Sequence, residues 1–255
     1  MENRIIYKYL SLRDALKVIL HKTLKFSQPD DFNDPFDSYE ELLKFDITNK
    51  FIESHKKMGI LHLDEADEKL SKKGLINSLK TNVYTFENED TKAVFEEAKK
   101  HLWISCFSKT YKEILMWSHY GNYHKGVCIG FNYDGLSKTF DFIPSEVRYK
   151  KHFKKINYCT NERKALEYLI NVKSNKWKYE KEIRLRTYPE RAPGLNSKGI
   201  VSIHPNSISK IIIGCNCPIN SANIKNRLLK LNFKNVELIQ LSKSKNSFEL
   251  DEIKL

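Results

Sequence analysis

The chain has 255 residues, 40% hydrophobic and 12% aromatic, enough apolar mass for one large or two small packed domains and too much for a disordered protein. Its formal charge of +12 is uneven. Arg148 to Arg191 holds fourteen Lys and Arg against five Asp and Glu, a local balance of +9. Such a field favours nucleic acid, nucleotide phosphates or an acidic protein, and the competing origin is a Lys-rich genome.

In chain order, Ile5–Leu10 reads as a short strand. Ser11 and Asp14 form a capping pair ahead of Leu12, Ala15, Leu16, Ile19 and Leu20, which recur at helical spacing. Thr23–Ser27 is a second strand, followed by the turn-rich loop SQPDDFNDPFDSYEE. Residues 41–100 read as a Lys- and Glu-rich helical insertion. After it come a strand in LWISCFS, a helix in YKEILMWSHYGNY ending near Gly121, and strands in KGVCIGFNY and SEVRYKK. Then come a helix over Lys164–Lys173, a strand over Trp177–Tyr188, strand–turn–strand in IVSIHPNSISKIIIGCN, a helix over Asn220–Leu231 and a strand in NVELIQLS. Short strands with few long helices predict a single α+β domain over 1–255, with a mixed or antiparallel central sheet.

The five cysteines, Cys106, Cys128, Cys159, Cys215 and Cys217, form no regular framework and imply reduced thiols. The first residues, MENRIIYKYL, lack an apolar signal core, and no run reaches the roughly 20 apolar residues of a membrane span. A soluble cytoplasmic protein is expected.

Three constellations carry candidate chemistry. On the Trp177–Tyr188 strand, Glu180, Glu182, Arg184 and Arg186 alternate onto one face. Neighbouring carboxylates there suit a cleft lined for catalysis or an edge strand charged against aggregation. In FSQPDDFNDPFD, Asp30, Asp31, Asn33, Asp34 and Asp37 suit either a metal or local turns, with Phe32 and Phe36 in the core. In LMWSHYGNYHKG, Trp117, His119, Tyr120, Tyr123 and His124 suit either a sandwich for a flat heterocycle or ordinary core. The glycines form no phosphate loop.

Four blocks, IYKYLSL, LKFSQPDDFNDPFD, ISCFSKTYKEILMWSHYGNYHKGVCIGF and WKYEKEIRL, together resemble a widespread bacterial family of uncharacterised proteins over about residues 5–215. That family, a domain of unknown function, carries an FNDPF loop, an MWSHY–G–GF block and a WxYExE strand. Its layout is similar to the ADP-ribosyltransferase fold, including toxins that modify DNA or RNA. The resemblance implies NAD as substrate, Glu182 as the catalytic carboxylate and Glu180 as the residue orienting the acceptor. It places Tyr7, Lys8 or Tyr9 against the nucleotide and Trp117, Ser118, His119 and Tyr120 near the nicotinamide. Arg184 or Arg186 would hold phosphate oxygens. Ser105 and Ser108 stand where better-known groups carry Ser-Thr-Ser, and Tyr-Lys-Tyr replaces a first-strand His or Arg.

The expected function is thus an NAD-dependent ADP-ribosyltransferase or NAD glycohydrolase, a toxin or anti-phage effector acting on nucleic acid or protein, with an antitoxin or defence-system partner. The alternatives are a metal-dependent nuclease using Asp34, Asp37 and Glu182, and a non-enzymatic nucleic-acid-binding or regulatory module.

Overall fold

The computed structural model describes residues 5–44, 46, 100–189, 191–219, 228, 230, 231, 233 and 235–255. Packing divides the chain into two compact units. The first comprises 1–31, 102–149 and 175–255, and the second 32–101 and 150–174. Most of the expected insertion over 41–100, and the helix expected over Asn220–Leu231 apart from three residues, lie outside the described residues.

The first unit is built on an eight-stranded sheet: β1 (Ile5–Leu10), β2 (Trp103–Ser108), β3 (Val127–Asn132), β4 (Ile143–Glu146), β5 (Glu182–Thr187), β6 (Ile208–Ile213), β7 (Glu237–Lys243) and β8 (Leu250–Lys254). The spatial order is β8-β7-β6-β3-β1-β2-β5-β4. Only β6 and β7 pair in parallel, so this is the mixed sheet of the α+β class. Among the described residues, no helix is long and apolar enough to cross a membrane.

Alternation gives the sheet two different faces. Ile6, Phe107, Ile129, Phe131, Ile183, Leu185, Ile211 and Ile213 turn to one core, shared with Ala15, Val18 and Ile19 of helix α1 (Leu12–His21). Ser11 caps α1 as its sequence predicts, its Oγ accepting from the Asp14 amide at 3.1 Å. The opposite face carries Tyr9, Cys128, Ile212, Ile239 and Leu241 under Met116 and Trp117 of helix α2 (Ile114–His119).

The mid-chain strand is shorter than its sequence predicts. Asn175–Glu180 is a 3-10 helix, Lys181 takes a left-handed φ of 45°, and the strand begins only at Glu182. The alternation of Trp177, Tyr179 and Lys181 mimics a strand's period over a turn. Glu182, Arg184 and Arg186 still share one face, but Glu180 is off the strand. The expected SEVRYKK strand is likewise split, with β4 ending at Glu146. Strand β8 and the short helix α3 (Tyr133–Ser137) carry no distinctive pattern in the sequence.

In the second unit, helix α4 (Glu162–Asn171) is capped by Asn161, whose Oδ1 accepts from the Lys164 amide at 2.9 Å. It buries Ala165, Tyr168 and Leu169 against Leu42, Leu43 and Val172. Leu43–Lys44 pairs in parallel with Ile156–Asn157.

Leu185 is fully buried beneath β5. Leu185→Ala is therefore expected to cost about 2–5 kcal/mol in urea unfolding. A loss under about 1 kcal/mol would show that the core does not close beneath this strand.

Candidate functional site

The site is assembled on the second face of the sheet, where β1, β2 and β5 lie side by side. Tyr7 is opposite Ser108, and Ser108 is opposite Glu182. These three residues form one row across three neighbouring strands, with neighbours spaced about 5 Å apart. Room for the Tyr7 ring comes from Gly130 on its other side: a Cβ there would sit 3.2 Å from that ring and 2.9 Å from Lys210 Cβ.

Glu182 is 4% exposed and Arg184 is not exposed at all. Arg184 grips the carboxylate through two nitrogens, Nε to Oε1 at 2.8 Å and Nη2 to Oε2 at 3.2 Å. This two-pronged geometry fixes the plane of the carboxylate. The Glu182 amide donates to the Tyr149 hydroxyl at 2.8 Å. Cys106, opposite Arg184 on β2, also hydrogen-bonds Glu182. Burial, and then the charge of Glu182, push this thiol far above its usual range, so it stays protonated.

Glu180 is also buried, held from both ends. Its carbonyl accepts from Ser108 Oγ and its carboxylate Oε1 from the Tyr120 hydroxyl, each at 2.7 Å. Ser108 therefore joins the two acidic residues, by register to Glu182 and by hydrogen bond to Glu180.

Tyr9 shares the face of Tyr7 and donates to the Thr110 carbonyl at 2.9 Å. Lys8 leaves from the other face. Its Nζ lies 5.0 Å above the Phe107 ring and donates to the Cys106 carbonyl at 2.9 Å and to Ser105 Oγ at 3.1 Å. Burial pulls this ammonium below its ordinary range, and the nearby Cys106 and Glu182 oppose that shift. Trp117, expected beside a nicotinamide, is fully buried. It supports Tyr9 edge-on at 5.1 Å and donates Nε1–H to the Tyr111 carbonyl at 2.7 Å. Arg184, expected on phosphate, commits Nε and Nη2 to Glu182 instead. Ser118, His119 and Tyr120 do line a hollow of about 470 Å³, together with Tyr9, Asn122 and Tyr123. Tyr120 thus faces this hollow while binding Glu180.

The rim of the hollow is strained. Asn122, Tyr123 and His124 have consecutive left-handed φ values of 47°, 56° and 64°. Non-glycine residues enter that region at a cost of about 1–3 kcal/mol each, and such strain gathers at functional sites. Tyr123 is left 73% exposed. His124 stacks on Trp117 at 6.4 Å with Nε2 3.2 Å from Ser118 Oγ, while its buried Nδ1 has no partner among the described residues. Burial, then the charge of Lys243, lower its pKa.

Of the loop residues considered for metal, Asn33, Asp34 and Asp37 belong to the second unit, and Asp30 and Asp31 to the first. Asp34 Oδ1 caps the Phe36 amide at 3.0 Å, and buried Asp37 faces buried Lys173 at 3.5 Å. Phe36, expected in the core, is 58% exposed. Among the described residues, no three of His, Cys, Asp and Glu gather as a metal site.

Residues 116–185 match the model of a family described as Protein of unknown function (DUF2971). That span opens in α2 and closes in β5, so it holds both partners of the Tyr120–Glu180 and Arg184–Glu182 contacts. No curated protein and no solved structure matches the chain. Tyr149 and Cys106 gave no signal in the sequence, because each acts through a partner that only the fold supplies.

Removing the cation from a buried pair leaves a charge in low dielectric. Arg184→Met is expected to destabilise the protein by about 3–5 kcal/mol, and adding Glu182→Gln should restore part of that loss. Additive losses in urea unfolding would show that the two groups are not coupled. For His124 the folded pKa lies below the unfolded value, so the unfolded chain takes up the proton first. Stability should fall as pH drops through about 6.5 towards the lower folded value. His124→Gln should flatten the thermal midpoint between about pH 7 and pH 5, and an unchanged slope would remove His124 as its source.

Proposed function

We propose that the face carrying Glu180 and Glu182 cleaves the nicotinamide–ribose bond of NAD and passes ADP-ribose to a nucleic-acid or protein acceptor, or to water, in the manner of ADP-ribosyltransferases. The observation that carries this reading is the row Tyr7–Ser108–Glu182, with Glu180 joined to its middle member through its backbone carbonyl and its carboxylate held by Tyr120.

The chemistry needs a fixed negative charge. As the C1′–N bond breaks, nicotinamide leaves with the electron pair and the sugar gains oxocarbenium character, as in glycoside cleavage. A lone pair on the acceptor then bonds to C1′, and the acceptor's proton passes to water. A carboxylate aimed at the sugar stabilises that charge most when it needs no reorganisation. Arg184 and Cys106 give Glu182 that rigidity. Tyr120 does the same for Glu180, which suits a group that orients the acceptor. The aromatic and polar hollow beside Tyr120 suits the flat nicotinamide ring. Toxin or anti-phage activity, checked by an antitoxin or system partner, belongs to the same reading.

The test is release of nicotinamide from labelled NAD in the presence of cell lysate. Wild type is expected to turn NAD over. Glu182→Gln, checked for folding by circular dichroism, should lose at least about 100-fold. Tyr120→Phe, which leaves the Arg184–Glu182 pair untouched, should lose less. Equal turnover by wild type and Glu182→Gln, or none by wild type, would reject the proposal.

A further inference from the structure

Just ahead of Glu182 the chain builds an aromatic and basic surface that shares only His119 with the hollow beside Tyr120. The 3-10 helix Asn175–Glu180 brings Trp177 and Tyr179 beside His119 of α2. The three rings lie 6.1–6.3 Å apart, and His119 meets Tyr179 at only 31°. His119 is exposed, and Trp177 and Tyr179 are half-buried.

Lys176, Lys178 and Lys181 alternate with these rings and are exposed. Lys178 and Lys181 make no ion pair among the described residues. The acid within the segment cannot neutralise them outwardly, because Glu180 is buried with its carboxylate on Tyr120. Positive charge interleaved with tilted aromatic rings matches a chain that alternates phosphates with flat bases. A duplex keeps its bases stacked on each other and cannot use the rings.

We infer that this surface binds single-stranded nucleic acid. Lys181, held left-handed, ends the surface one residue before Glu182, so a bound strand runs up to the two carboxylates. The binding stands on its own, whereas the strand's role as ADP-ribose acceptor rests on the function proposed above.

The experiment uses the full chain with fluorescein-labelled single strands of about 15 nucleotides, dT and rU, read by anisotropy. Binding should weaken as salt rises from about 0.05 to 0.2 M. Trp177→Ala and the pair Lys178→Glu/Lys181→Glu should each weaken it about tenfold or more. Unlabelled strands should quench tryptophan emission. Trp177→Phe should keep affinity within about twofold and lose the quench, since Phe still offers a stacking face. Unchanged affinity in Trp177→Ala and the lysine pair would overturn the inference. So would tighter binding to duplex, or to phosphatidylserine vesicles, than to the single strand. Strand binding without NAD cleavage would remove only the acceptor role. NAD cleavage without strand binding would remove only this surface.

Discussion

A guanidinium and a carboxylate two residues apart on one strand, both shut away from water, govern this molecule's central region. Separating Arg184 and Glu182 from solvent is costly, and their two-pronged contact in a low-dielectric setting helps offset it. That contact requires β5 to lie inside the sheet, with β2 on one side and β4 on the other. Ile183 and Leu185 anchor the strand from its apolar face. A rigid negative charge on the second face follows from the fold, with no ligand needed to position it.

Left-handed backbone at residues 122–124 and at Lys181 lies in two segments joined by the Tyr120–Glu180 hydrogen bond. Elsewhere in the first unit, Lys22 takes the left-handed conformation as the C-cap of α1, and the rest is conventional: capped helix, mostly antiparallel pairing and interlocked aliphatic side chains. Backbone hydrogen bonds from His124 to Trp117 and from Lys125 to Asn122 hold the 122–124 turn, and left-handed strain of this kind gathers at functional sites.

Much of the fold was legible in the sequence. Ile5–Leu10 alternates cleanly, Ser11 and Asp14 announce the start of α1, and KGVCIGFNY is apolar enough to be a buried strand. The site was legible in part. Glu182, Arg184 and Arg186 share a face because strand alternation needs nothing beyond the chain itself. Glu180 was misplaced because a 3-10 turn followed by one left-handed residue mimics a period of two over WKYEK. For Trp117 the sequence left a ligand ring and ordinary core both open, since residue type does not report burial, and the structure buries it. Cys106 and Tyr149 were silent, since their roles depend on pairing with β5 and on a long-range hydrogen bond.

The most direct measurement is a crystal structure of the protein with an NAD analogue whose glycosidic bond cannot break. A functional Glu182 should lie within about 3.2 Å of a hydroxyl on the nicotinamide ribose, with Arg184 still on its carboxylate. A nucleotide seated away from β5, or no nucleotide bound at millimolar concentration, would leave the Arg184–Glu182 pair a purely structural feature and end the case for catalysis on this face.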